Sequence, residues 1–164
     1  GINPGLWTAA TQTHFAYPGN RFYPALLAGG VIEQRIDPAA GMNETERRML
    51  RERGIGISNI VRRATAKAAE LSSEELRAGG RQLTELVARV RPRVVAIAGV
   101  TAYRSAFGLP KATVGHQPET IDGLWSDAEL WVVPNPSGLN AHETVASLAE
   151  AYRRVAQAAG VITA

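Results

Sequence analysis

Leu130-Trp131-Val132-Val133-Pro134-Asn135-Pro136-Ser137-Gly138-Leu139-Asn140 carries an apolar run straight into a loop of Pro, Gly, Asn and Ser. Consecutive apolar residues stopped by a proline read as a strand buried on both faces, the pattern of a parallel sheet. The loop that follows is stiff. Pro and Gly set its backbone angles, and each Asn amide can both donate and accept hydrogen bonds. In open α/β sheets ligand sites gather beyond the carboxyl ends of strands. A second loop of the same composition, Gly1-Ile2-Asn3-Pro4-Gly5, opens the chain. Together they point to one site built from both ends of the sequence.

Outward from that strand, the chain alternates helical and extended patterns. Asn20 is placed to cap a short helix with Pro24 in its first turn. Asn43 and Glu46, then Ser72 and Glu75, have capping-box spacing ahead of helices that run toward Arg53 and Arg91. The second of these contains Gly79-Gly80, which predicts a break or a close approach. Ile55 to Val61 reads as a strand or an extended segment, and Val94 to Gly99 as a buried parallel strand. Thr101 to Phe107 reads as a short helix. Residues 108 to 128 are irregular, with a short edge strand expected near Glu119 to Ile121. The last helix is expected from about His142 to Ala159. This order predicts an α/β fold, a three-layer α/β/α sandwich around a central, mostly parallel sheet. A single domain over 1–164 follows from the length. No strand delivers the first loop, so one is expected ahead of Gly1.

Composition narrows the function. No stretch is long and apolar enough for a membrane span, and no signal pattern opens the chain. The absence of cysteine removes disulfides, thiol nucleophiles and thiolate metal sites, and a cytoplasmic setting fits best. The net charge is only +3, yet all but two of the 18 Lys and Arg residues are arginine. Arginine forks suit phosphate, although an arginine-rich, solvated surface reads the same way. The three histidines lack metal-ligand spacing.

Five segments then agree in order with one family. Gly1-Ile2-Asn3-Pro4-Gly5-Leu6 and Pro18-Gly19-Asn20-Arg21-Phe22-Tyr23 resemble the mismatch-specific uracil-DNA and thymine-DNA glycosylases of the uracil-DNA glycosylase superfamily. Ser58-Asn59-Ile60-Val61, Ser72 to Arg81 and Asn135-Pro136-Ser137-Gly138-Leu139 extend the resemblance over essentially the whole chain. It implies a bacterial DNA repair glycosylase that flips a mismatched or damaged pyrimidine, uracil opposite guanine first, out of double-stranded DNA. It also implies hydrolysis of the N-glycosidic bond to leave an abasic site, by a monomer with no cofactor, metal or membrane.

The same resemblance assigns residues. Asn3 orients the attacking water, whereas the residues alone read first as an Asx turn before Pro4. Phe15 is the stacking platform, which sequence alone also allows as a core aromatic. Ile2 and Phe15 amides read the pyrimidine edge, Thr8 senses its 5-position, and Asn59 follows the thymine-processing branch. His14 contacts sugar or phosphate, or is a surface residue. Leu139 wedges into the vacated stack while backbone near Gly138 and Asn140 meets the orphaned guanine. An exposed Leu between Gly and Asn is poorly explained by packing. Asn135 and Ser137 brace the loop or contact phosphate. Ala141 stands where the family often has Arg, with His142 next to it. No lysine near either loop is placed for Schiff-base chemistry, which implies a monofunctional enzyme. Neither loop holds a carboxylate of the kind O-glycosidases use, so catalysis would rest on positioning water and stabilising a uracil anion. The competing reading is a non-catalytic nucleotide- or nucleic-acid-binding α/β domain with its first loop as an anion-binding turn.

Overall fold

Helix starts follow the capping residues. In the computed structural model, which describes residues 14–61, 63, 65, 70–117 and 128–163, helix α2 spans Glu44–Glu52 behind Asn43. Asn43 Oδ1 accepts from the Glu46 amide, and Glu46 Oε1 from the Asn43 amide. Helix α3, Ser73–Val90, begins with the same reciprocal pair from Ser72 and Glu75. The helix before these, α1, spans Phe22–Ala28, and Asn20 Oδ1 accepts from the Phe22 amide. Helix α4 is Val100–Phe107. Helix α5 is Val145–Ala159, starting three residues later than the sequence suggests. Thr144 and Ser147 make the capping box there, a Ser standing where the usual motif has Glu or Gln.

Gly79-Gly80 does not break α3. It lets two neighbours come close. A side chain on Gly79 would strike the Ile60 carbonyl, and a Cβ on Gly80 would lie 2.8 Å from the Ala106 oxygen. The glycines thus seat α3 against the 60–61 segment and the end of α4.

The sheet has three strands in the described residues, β1 (Val94–Ala98), β2 (Gly115–Gln117) and β3 (Glu129–Val133), in the order β1-β3-β2. Strands β1 and β3 pair in parallel, Val94 opposite Glu129 through Ala98 opposite Val133. Strand β2 pairs antiparallel with β3. The sheet seen here is therefore mixed and small, not mostly parallel. Ile55 to Asn59 forms no strand, and a cleft of about 400 Å³ is lined by this segment together with β1. The short strand lies at Gly115–Gln117, and the expected Glu119 to Ile121 strand falls outside the described residues.

Alternation along the strands sends side chains to two cores. Ile97, Leu130 and Val132 pack with Val87, Tyr103 and Ala106 from α3 and α4. Val133 and Ala98 pack on the other side with Tyr23 and Leu26 of α1, Leu50 of α2, and Leu148 and Tyr152 of α5. Helices cover both faces of the sheet, which is the α/β arrangement the alternating pattern calls for. Among the described residues no helix is long and apolar enough to cross a membrane.

Candidate functional site

The distal loop leaves the carboxyl end of β3 and is stiffened by its own polar side chains. Asn135 Oδ1 accepts from the Ser137 amide at 3.0 Å, and Ser137 Oγ accepts from the Leu139 amide at 3.2 Å. Asn140 Nδ2 donates to the Asn135 carbonyl, and Asn140 Oδ1 accepts from the His142 amide. Asn135 and Ser137 thus brace the loop, one of the two roles their sequence allowed. At its tip Leu139 is 91% exposed. In water such a side chain has nothing to gain from this position.

A residue that the motif reading passed over holds this loop from outside. Arg21 Nη1 donates to the carbonyls of Asn140 at 2.9 Å and Glu143 at 2.7 Å, while Nη2 donates to Gly138 at 3.2 Å. The Arg21 amide donates to the Pro136 carbonyl at 2.9 Å. Gly138 also lies against the turn at Gly19, where a Cβ would come within 2.6 Å of the Gly19 oxygen. Tyr152 of α5, buried in the core, donates its hydroxyl to the Pro134 carbonyl at the loop's base. Arg21 lies within the quoted segment Pro18 to Tyr23, but nothing in that segment says what its guanidinium holds. Its partners lie more than 115 residues away.

The same few residues seat the other half of the site. The Phe22 ring stacks on Phe15 with centroids 4.1 Å apart and planes 20° from parallel. Tyr23 donates its hydroxyl to the His14 carbonyl at 3.0 Å. Phe15 is half-buried in the left-handed region at φ 55°, a conformation that costs a non-glycine residue about 1–2 kcal/mol. One ring face is taken by Phe22, and the side chain packs against the core, as the reading of a core aromatic expects.

His14 and Asn59, 45 residues apart, meet through Asn59 Nδ2 and His14 Nδ1 at 3.1 Å. An amide NH₂ only donates, so Nδ1 accepts this bond when the His14 ring is neutral and protonated at Nε2. Burial holds the His14 pKa below its ordinary value, and the positive charge of Arg47 pushes the same way. Asn59 is half-buried, and its carbonyl accepts from Ser58 Oγ at 3.5 Å. His142 and Ala141 are exposed on the distal loop. Asn3, Ile2 and Thr8 lie outside the described residues. Among the described residues no group of three His, Cys, Asp or Glu side chains could hold a metal ion.

The fold and site define an α/β protein with a rigid, apolar-tipped loop beside a half-buried aromatic and a neutral His–Asn pair. Residues 1–156 match the family described as Uracil DNA glycosylase superfamily. The match covers most of the chain, so the protein belongs to that superfamily, and its class is a DNA glycosylase of base excision repair, a hydrolase acting on uracil-type bases in DNA.

Proposed function

We propose that this protein is a monofunctional, mismatch-directed glycosylase that removes uracil opposite guanine, the branch that the first and distal loops resemble. The observation that carries this reading is Leu139, almost fully exposed at the tip of a loop whose other side chains are spent on keeping it rigid. Base flipping leaves a hole in the stack, and an apolar wedge offsets the unstacking cost of a few kcal/mol. The Gly138 and Asn140 carbonyls accept from Arg21 through one lone pair each. A second lone pair on the Gly138 carbonyl remains for an N1–H or N2–H donor of an orphaned guanine, whereas the Asn140 carbonyl also accepts from the Glu143 amide.

In this reading the flipped pyrimidine lies on the free face of Phe15. Asn59 offers Oδ1 to N3–H, and its NH₂ is oriented by neutral His14. Ile2 and Thr8 complete the pocket. Asn3 positions water at the sugar C1′ as the bond to the base breaks and the base leaves as an anion. An amide carries no negative charge to generate hydroxide, so the rate depends strongly on the leaving group.

Excision from duplexes carrying G·U, A·U or single-stranded uracil tests this. Strand breaks are expected only after alkali or heat, and breaks before alkali would overturn the monofunctional assignment. Asn3→Ala is expected to lower single-turnover excision by about two orders of magnitude or more with duplex binding little changed, since water positioning acts mainly in the transition state. Full activity in that variant would remove Asn3 from the mechanism. No release of any base by the wild-type protein would favour a non-catalytic DNA-binding domain.

A further inference from the structure

A surface arginine in a DNA-binding protein is ordinarily read as a phosphate contact. Arg21 is used differently. Its guanidinium donates to three carbonyl oxygens of one loop, those of Gly138, Asn140 and Glu143, and its own amide donates to Pro136. The geometry needs a planar fork with several N–H donors directed at once, which arginine has and lysine lacks. Hydrogen bonds from a charged donor are also stronger than neutral ones.

We infer that Arg21 is a positioning residue that fixes the distal loop with Leu139 already presented before DNA arrives. The inference rests on Leu139 being a wedge. A loop ordered only on contact would lose conformational freedom at the moment of binding, which weakens association. The brace removes that cost in advance. It also sets register. Arg21 lies between Asn20, which accepts from the Phe22 amide, and the pair Phe22 and Tyr23, which seat Phe15 and the His14 backbone. Three successive residues, Arg21, Phe22 and Tyr23, therefore tie the wedge loop to the base-stacking segment. The N–H groups turned onto the loop are not free for phosphate.

Single-turnover excision by Arg21→Ala and Arg21→Lys, on G·U duplex and on single-stranded uracil, tests the assignment. Arg21→Ala is expected to lose about tenfold on the duplex, the effect of freeing one or two side chains' worth of order, and nothing on the single strand. Arg21→Lys falls between. On the duplex, Arg21→Ala combined with Leu139→Ala is expected to be no slower than Leu139→Ala alone. The slope of duplex affinity against salt stays as in the wild type, whereas loss of a phosphate contact would reduce it by about one. Equal loss on both substrates, multiplicative effects in the double variant, or a reduced salt slope would each overturn the brace. Amide hydrogen exchange at residues 137–143 judges it without any activity. Faster exchange in Arg21→Ala, with α1 unchanged, supports the brace, and unchanged exchange in the loop defeats it. A wild-type protein that releases no uracil at all defeats the glycosylase reading, while the exchange result still decides on Arg21.

Discussion

The loop at 135–143 and the segment at 14–15 face one function with opposite kinds of support. The loop is polar and solvent-exposed, and it is held by side-chain hydrogen bonds to backbone, most of them within the loop and from Arg21. The segment is half-buried and held by ring stacking, a tyrosine hydroxyl and a neutral histidine. Hydrogen bonds specify direction but contribute about 1 kcal/mol each on exchange with water. Aromatic burial contributes more but specifies direction less. In the proposed function a wedge must point and a platform must hold a flat base, and each region has the interaction suited to that task.

That contrast orders the expected effects of substitution. Phe15→Ala removes both the stacking surface and the contact with Phe22. Base–aromatic stacking is worth about 1–3 kcal/mol, so excision is expected to fall about tenfold to a hundredfold on every substrate, single-stranded uracil included. A loss confined to duplex DNA would break the comparison by making Phe15 part of the wedge machinery. Leu139→Ala comes next. Its effect is expected to be largest on A·U, smaller on G·U and smallest on single-stranded uracil, because the unstacking cost it offsets declines in that order. Uniform loss across the three would make Leu139 a packing residue.

Acidity sharpens the comparison further, since the 14–15 segment carries a half-buried histidine whose pKa is displaced. Burial, with Arg47 nearby, depresses the His14 pKa. The folded protein therefore binds fewer protons at His14 than the unfolded chain just below pH 6.5, the ordinary histidine value. Stability from this group is full above that value and declines as the pH falls through the lowered pKa. Protonation also turns Nδ1 into a donor facing the Asn59 NH₂, so the pair separates. Excision and melting temperature measured from pH 8 to 5 should fall together at the acid end, and His14→Gln should flatten that part of both profiles. An unchanged profile in His14→Gln would show that the pair does not control the site.

The smallest effect belongs to a single exposed bond. Ser137→Ala removes the acceptor for the Leu139 amide. Water can replace it, so the expected loss on duplex DNA is at most about fivefold, matching about 1 kcal/mol. A loss rivalling that of Leu139→Ala would mean the loop depends on this one bond more than on Arg21.

Much of the architecture could be read residue by residue. The boxes at Asn43–Glu46 and Ser72–Glu75 mark real helix starts because the cap and its acid interact over three residues and need no tertiary partner. The last helix was placed too early because Ser147 serves where an acid is the usual signal. The mostly parallel sheet was an inference from apolar runs, which report burial but not direction. Strand β2 runs antiparallel, a matter of chain reversal between residues 117 and 129 that apolar patterning does not encode. Leu139 stood out as an apolar residue with no reason to be in a polar loop, and it is indeed exposed. His14 and Asn59 were each singled out, but not their contact.

By itself the sequence determined the caps at Asn43 and Ser72, the positions of the strands at 94–98 and 130–133, the stiffness of the distal loop and, through its ordered motifs, the superfamily, while the burial expected along 94–98 holds only at Ile97. These depend on neighbours a few residues apart or on patterns preserved along the chain. Tertiary structure alone decided that Arg21 grips the distal loop, that Gly138 lies against Gly19, that Phe22 covers one face of Phe15, and that Asn59 meets His14. A guanidinium, a glycine or an amide has many possible partners of equal local merit, and only the folded chain brings one of them within hydrogen-bonding or van der Waals distance.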